Sequence, residues 1–151
     1  MSQFHLAQLN IANAKASMDS AEMAGFVARL DEIHDLADNA NGFIWRWESG
    51  STDSSVVEVF GDPLLLVNLS LWESVDALKH FVYKTVHIEL IRDREAWFDK
   101  MPLMHQVVWW VPEGHIPSVA EAKQKLDKLR ADGPSEAAFS MAKPFPAPSD
   151  N

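Results

Sequence analysis

The amino-acid sequence predicts an α+β fold in which helices pack on an antiparallel sheet. Four segments have the alternating or continuous apolar pattern of strands. Helical patterns separate them in the order strand, helix, strand, strand, helix, strand, and a further helical pattern follows. The length of 151 residues is that of one domain, which we expect to span residues 1–142.

A strand and a helix are predicted at the start of the chain. Phe4–Ile11 alternates imperfectly between apolar and polar residues, as a strand with one buried face does. Residues 19–22, DSAE, have the spacing of a capping box, in which acidic side chains meet the free amides of a helix start. The helix that follows covers residues 21–39, and Asn41-Gly42 ends it because glycine adopts positive φ without strain.

Two strands are predicted after this helix. Phe43–Glu48 alternates and is rich in aromatic residues, and Val56–Phe60 is a candidate for further pairing after a polar connection. Leu64–Leu71 is a near-continuous apolar run, which indicates burial on both faces of the sheet. Asn68 is the amide that interrupts this run.

The second half of the chain predicts a long helix, a strand and a last helix. Val75–Lys100 has helical spacing after a capping Ser74, and Met104–Val111 is the fourth strand. Ser118 caps an amphipathic helix that ends near Ala131. This order is the ferredoxin-like βαββαβ plan with an added C-terminal helix. The proline-rich tail, residues 143–151, is expected to be mobile, and the chain after Phe139 to be dispensable for folding.

Composition restricts the classes of partner and site. The net charge of −9 disfavours nucleic acid as the main partner, because a phosphate backbone requires a positive surface. The sequence contains no cysteine, which excludes disulfides, thiolate-bound metals and a thiol nucleophile, and fits a cytoplasmic location. No apolar run reaches the roughly 18 residues that cross a bilayer, so we expect no membrane partner.

The predicted sheet has more apolar surface than two helices cover. Phe43, Trp45 and Trp47 alternate and would lie on one face of their strand. Two helices pack on one face of a four-stranded sheet and leave the other face bare. The sequence therefore predicts a homodimer in which the bare faces meet.

Polar residues recur within the apolar arc of the long predicted helix. On a continuous helix, His80, His87 and Arg94 fall in the same arc as apolar residues that include Tyr83 and Trp97. A buried arginine costs desolvation unless another group pairs with it. The stripe is therefore either a satisfied core network or the polar lining of a pocket.

The central amide and the tryptophans have the same two interpretations. Asn68 either pairs across the core or points into a cavity. Trp45 and Trp47 share one strand face, whereas Trp109 and Trp110 lie on opposite faces of theirs; each either packs the core or forms the wall of a ligand site. The other histidines show no metal-ligand spacing; they are His5, His34, His105 and His115.

Several blocks of sequence resemble one known family. They are LAQLNIA at residues 6–12, MAGFVARLDEIHDLAD at 23–38, GFIWRW at 42–47, the run over 71–98, and the run over 107–139. Together they resemble a bacterial family catalogued as domain of unknown function 3291. The resemblance implies the dimeric α/β-barrel superfamily, in which the sheets of two ferredoxin-like protomers face each other. Relatives there include antibiotic-biosynthesis monooxygenases, which oxidise aromatic substrates without metal or flavin, and haem enzymes such as chlorite dismutases.

With this resemblance, the first functional hypothesis is an oxygenase-like enzyme for a hydrophobic, aromatic small molecule. His87 would be the general base, Arg94 would stabilise an enolate or oxyanion, and Asn68 would orient the substrate. The expected substrate-binding residues are Trp45, Trp47, Trp72, Tyr83 and Trp97. This hypothesis requires no cofactor.

Two alternatives stay open. The first is a haem enzyme that holds haem b non-covalently, with His87 as the axial ligand and Arg94 near a propionate or bound oxidant. The second is a protein that binds a small hydrophobic molecule in the same pocket without catalysis.

Overall fold

The computed structural model describes residues 4–13, 15, 20–47, 59–61, 65–81 and 105–147. Four strands lie in this part: β1 (Phe4–Asn13), β2 (Phe43–Arg46), β3 (Leu65–Trp72) and β4 (Gln106–Pro112). The α-helices described there are α1 (Ala24–Asp38), which follows a 3-10 turn over Ala21–Met23, α2 (Val75–His80) and α3 (Val119–Asp132). No helix in these ranges is long and apolar enough to cross a membrane.

The four strands form one antiparallel sheet in the order β2-β3-β1-β4. This confirms the predicted α+β class and is consistent with the ferredoxin-like plan. β3 is a central strand, and Leu69, Leu71 and Trp72 are almost completely buried although they point to different faces. Burial on both faces explains the continuous apolar pattern of this segment.

The starts of α2 and α3 follow the local sequence signals. The Ser74 hydroxyl accepts a hydrogen bond from the Ala77 backbone N–H at 3.0 Å, and the Ser118 hydroxyl accepts one from the Glu121 N–H at 3.1 Å. α1 ends at Asp38 with Asn39 as its C-cap, close to the predicted end, and the positive φ of 84° at Gly42 belongs to the turn that leads into β2. The structure confirms the predicted helix from Val75 to His80. Its continuation to Lys100 stays a prediction, because residues 82–104 lie outside the described part.

Helices cover both faces of the sheet. On one side, which we call the α3 face, α3 packs against β4 and β1. The core of the α3 face includes Leu9, Leu69, Val107, Trp109, Leu126 and Leu129. On the other side, the α2 face, residues of α1 and α2 pack on the sheet, and the core includes Leu6, Ala37, Trp72, Leu78, Phe81 and Val108. Alternation along each strand sends neighbouring residues to these two cores.

The sheet face that was predicted to be bare, and to meet a second copy of the protein, is partly covered. Apolar residues of α3 recur at helical spacing and lie buried on the β1 and β4 half of this face. Trp45 and Trp47 are partly buried against the same core, on the side of β2. The predicted arrangement, with two helices on one face of the sheet and none on the other, is therefore wrong. The homodimer stays a prediction.

The prediction that Phe43 shares a strand face with Trp45 and Trp47 is wrong. The register between β2 and β3 shifts between Phe43, opposite Trp72, and Trp45, opposite Leu71. Such a β-bulge reverses the alternation of side chains along the strand. Phe43 consequently packs on the α2 face, edge to face with the Trp72 ring at a centroid distance of 5.4 Å.

The predicted extended segment Val56–Phe60 is not a strand where the structure describes it. Val59 and Phe60 are helical, and the Phe60 side chain packs against the core of the α3 face. Residues 56–58 lie outside the described part. β2 therefore pairs with β3 alone within the described residues.

The chain after α3 returns to the sheet and packs on the α2 face. Phe139 and Val108 exchange two backbone hydrogen bonds of 2.8 and 2.9 Å, and the Phe139 side chain is fully buried. The Phe145 ring lies 5.6 Å from the Phe139 ring, and the Phe145 carbonyl accepts a hydrogen bond from Trp110 Nε1 at 2.9 Å. Phe145 therefore packs on the sheet, whereas the dispensability of the chain after Phe139 and the domain boundary at residue 142 stay predictions.

Candidate functional site

Half of the predicted site residues lie in the described part of the chain. His87, Arg94, Tyr83 and Trp97 fall outside it, so their roles stay predictions. The described site residues are Asn68, Trp45, Trp47 and Trp72.

The three described tryptophans do not line one surface. Trp45 and Trp47 pack on the α3 face, whereas Trp72 lies on the α2 face. The Trp72 side chain is almost completely buried, and its ring contacts the Phe81 ring at a centroid distance of 5.0 Å. Trp72 is thus a core residue of the α2 face and stands on the other side of the sheet from Trp45 and Trp47.

Asn68 belongs to a group of uncharged polar residues on the α2 face, which we call the amide cluster: Gln8, Asn68, Ser70 and Gln106. Gln8 Nε2 lies 3.1 Å from both Asn68 Oδ1 and Ser70 Oγ, and 3.4 Å from the Asn68 backbone oxygen. Gln106 Nε2 lies 3.5 Å from Gln8 Oε1. The strand register brings these residues together, because β1 pairs with β3 on one side and with β4 on the other.

Gln8 is the centre of the amide cluster. Its side chain is only 5% exposed, and a buried amide is costly unless it is hydrogen-bonded. Because its Nε2 lies beside three oxygens, this end of the amide donates, and its Oε1 accepts from Gln106. Asn68 is exposed, so the buried amide of Gln8 holds an amide that solvent or a ligand can reach.

The amide cluster joins the aromatic core of the α2 face through Ser70. Trp72 Nε1 donates to Ser70 Oγ at 2.8 Å, next to the bond from Gln8. On β2, Arg46 lies opposite Ser70, and its Nε is 2.9 Å from Asp38 Oδ1. A second contact joins Arg46 Nη2 and Asp38 Oδ2 at 3.3 Å, so this guanidinium is paired with a carboxylate.

A second polar group, which the sequence analysis missed, ties α3 to the sheet. Glu121 Oε2 accepts a hydrogen bond from Trp109 Nε1 at 3.0 Å, and its Oε1 lies 2.7 Å from His115 Nε2. Glu121 is three residues after the capping Ser118, where a capping box has its acidic residue. That spacing was the available signal, but the partners of the carboxylate depend on the docking of α3 against β4.

We expect Glu121→Ala to lower the free energy of unfolding by about 1–3 kcal/mol, because buried Trp109 Nε1 would lose its acceptor. Glu121→Gln retains an acceptor oxygen and should lose less. His115→Ala is the control: the His115 side chain is 45% exposed, and an exposed polar contact of this kind contributes only about 0–1 kcal/mol. Urea unfolding measures all three, and equal losses for His115→Ala and Glu121→Ala would contradict this ranking.

The described residues contain no group of three histidine, aspartate or glutamate side chains that could hold a metal ion. His87, the predicted haem ligand, lies outside them, so the haem hypothesis stays a prediction. Of the three predicted catalytic residues, His87 and Arg94 lie outside the described part, so the structure describes the surroundings of Asn68 alone.

The comparison with known families agrees with the resemblance of the sequence blocks. A family model described as "Domain of unknown function (DUF3291)" matches residues 5–151. No curated protein and no solved structure matches the chain. Because the family match covers nearly the entire chain, this protein belongs to the DUF3291 family.

Proposed function

We propose that this protein is an oxygenase-like enzyme that binds a hydrophobic, aromatic small molecule beside the amide cluster. The observation that carries the proposal is the position of Asn68, whose exposed amide is held by the buried amide of Gln8. A polar group fixed by its neighbours at the edge of an apolar core is suited to orient a small molecule. The aromatic core of the α2 face, with Trp72 and Phe81, adjoins the cluster through Ser70.

The proposed reaction oxidises an activated CH2 group of the substrate to a carbonyl with O2. One oxygen atom enters the new C=O bond, and the other leaves as water with the two hydrogens, so O2 accepts the four electrons that the carbon loses. His87 would remove the first proton, and Arg94 and Asn68 would stabilise the enolate oxygen that results. The roles of His87 and Arg94 rest on the sequence pattern, and that of Asn68 also on its contacts.

The proposal includes membership of the dimeric α/β-barrel superfamily, a relation to the antibiotic-biosynthesis monooxygenases and a homodimer. The strand order β2-β3-β1-β4 supports the superfamily, since it is the order of a ferredoxin-like sheet. Trp45 and Trp47 support the dimer. They lie on the α3 face near β2, whereas α3 covers β4 and β1, so their rings stay partly exposed and could be buried by a second copy.

Oxygen uptake and the visible spectrum of the purified protein test the proposal together. With anthrone as the probe, we expect a colourless protein that consumes one O2 for each anthraquinone formed. A Soret band from stoichiometric haem would replace this proposal with the haem enzyme. A colourless protein that binds aromatic probes without oxygen uptake would replace it with the non-catalytic binding protein.

His87→Gln is expected to leave a folded protein whose kcat falls by roughly 10²–10⁴, because glutamine retains hydrogen bonding but transfers no proton at neutral pH. The measurements are anthrone-dependent oxygen uptake and the melting temperature. His80→Gln is the matched control, since His80 is an exposed residue at the end of α2. Unchanged kcat in His87→Gln would eliminate the assignment, and loss of folding would show that His87 belongs to the core.

A further inference from the structure

We infer that Asn68 and Ser70 form a two-donor site for a carbonyl or enolate oxygen, and that Gln8 is the positioning residue that holds both groups. The inference names the substrate class of the proposed site and rests on the proposed function for the site's location. Two hydrogen-bond donors of the amide cluster have no acceptor among the described residues.

The hydroxyl of Ser70 has its acceptor capacity filled. An indole N–H is a donor only, so Trp72 Nε1 uses one lone pair of Ser70 Oγ at 2.8 Å. Gln8 Nε2, the donor end of its amide, uses the other at 3.1 Å. Ser70 can therefore only donate to a further partner, and the described residues provide no acceptor for its hydrogen. The side chain is 5% exposed, so this unused donor is almost enclosed by protein.

Asn68 has an unused donor of the same kind. Its Oδ1 accepts from Gln8 Nε2 at 3.1 Å, which fixes which end of the amide faces Gln8. Its Nδ2, with two hydrogens, then points away from Gln8, and no acceptor for it occurs among the described residues. Because Asn68 is exposed, this NH2 group is accessible from outside the protein.

One atom of Gln8 fixes the two side chains that carry these donors. Asn68 Oδ1 and Ser70 Oγ each lie 3.1 Å from Gln8 Nε2, and the two residues are two positions apart on one face of β3. Gln8 itself is held by its burial and by the contact of its Oε1 with Gln106. Removal of Gln8 would therefore release the Asn68 amide and leave the Ser70 hydroxyl held by Trp72 alone.

The chemistry of these donors selects the ligand. An O–H and an NH2 that lack acceptors bind an oxygen with free lone pairs and repel an ammonium group. The nearby Arg46 is paired with Asp38, so the ligand oxygen meets neutral donors rather than an unpaired cation. Neutral donors of this kind suit a carbonyl oxygen, and they stabilise negative charge as it develops on an enolate.

Three matched probes test the site in the absence of turnover: acetophenone, ethylbenzene and benzylamine. Acetophenone and ethylbenzene differ in the carbonyl oxygen. We expect acetophenone to bind roughly tenfold more tightly than ethylbenzene, as two new hydrogen bonds predict, and benzylamine to bind most weakly. The readout is the ¹⁵N–¹H signal of the Trp72 indole, since its N–H donates to Ser70 and reports a change at that hydroxyl. Equal affinities for acetophenone and ethylbenzene, or no binding of acetophenone, would overturn the inference.

Asn68→Asp is the decisive variant. It retains the oxygen that accepts from Gln8 and replaces the outward NH2 with an acceptor, so the preference for acetophenone over ethylbenzene should disappear and benzylamine should gain affinity. Asn10→Asp is the control. Asn10 is exposed and lies opposite Asn68 on β1, so this substitution adds the same negative charge outside the hydrogen-bond network. It should retain the preference between the two neutral probes. An unchanged preference in Asn68→Asp would exclude Asn68 as a donor to the ligand.

Gln8→Leu tests the positioning role. We expect the affinity for ethylbenzene to be retained and the advantage of acetophenone to be lost, which a general loss of stability would not produce. If Gln8→Leu does not fold, Gln8→Met serves the same comparison, and the Asn68 variants decide the inference without it. A preserved acetophenone preference without oxygen uptake would disprove the oxygenase and leave the two-donor site intact.

Discussion

Phe139→Ala is expected to lower the free energy of unfolding by about 3–5 kcal/mol, the cost of removing a fully buried phenylalanine from a core. The side chain lies in the core of the α2 face, beside Leu6, Trp72 and Val108. Its backbone hydrogen bonds to Val108 survive the substitution, so the loss measures side-chain packing. Urea unfolding followed by tryptophan fluorescence gives the value.

Phe145→Ala is the matched control for this prediction. Phe145 is partly buried, and its carbonyl, which accepts from Trp110 Nε1, is retained by alanine. The ring loses its contact with Phe139 and its partial burial against the core of the α2 face, so we expect a smaller loss, about 1–2 kcal/mol. A loss below about 1 kcal/mol for Phe139→Ala would mean that the segment after α3 does not pack on the sheet in solution.

Much of the fold was predictable because its signals are local. The four strands, the capping residues Ser74 and Ser118 and the positive-φ turn at Gly42 are each visible within a few residues of sequence. The docking of Phe139 was not predictable in this way, because one bridge to Val108 creates no periodicity. The bulge in β2 was missed for a related reason: alternation shows that residues change faces but not where the alternation is reversed.

The candidate site shows the same limit. Asn68 was identified as an amide in an apolar strand, which is a local signal. Its partner Gln8 is 60 residues away, and their contact depends on the register between β1 and β3, which strand patterns do not determine. The sequence analysis groups Trp72 with Trp45 and Trp47, whereas the register, with Trp45 opposite Leu71, places Trp72 on the opposite face.

Gly42→Ala is expected to lower the free energy of unfolding by about 2–5 kcal/mol, for two separate reasons. The φ of 84° costs a residue with a Cβ atom about 1–2 kcal/mol. A Cβ at this position would also lie 2.5 Å from Ala77 Cβ in α2, and relief of such overpacking costs about 1–3 kcal/mol. The Gly42 carbonyl accepts from the Glu73 N–H at 2.7 Å, so the turn cannot move away without losing that bond. Chemical denaturation of the purified variant measures the sum.

Two further variants separate these contributions. Gly114→Ala places alanine at a φ of 93° with no atom within 4 Å of the new Cβ, so it should lose only the backbone part, about 1–2 kcal/mol. The second is Gly42→Ala combined with Ala77→Gly, which removes the facing methyl group. Ala77→Gly alone should cost about 1 kcal/mol, because glycine is unfavourable within a helix. The double variant should lose less free energy of unfolding than the sum of the losses of the two single variants. Simple additivity of the two changes would show that α2 does not approach the turn at Gly42 as closely as the structure places it.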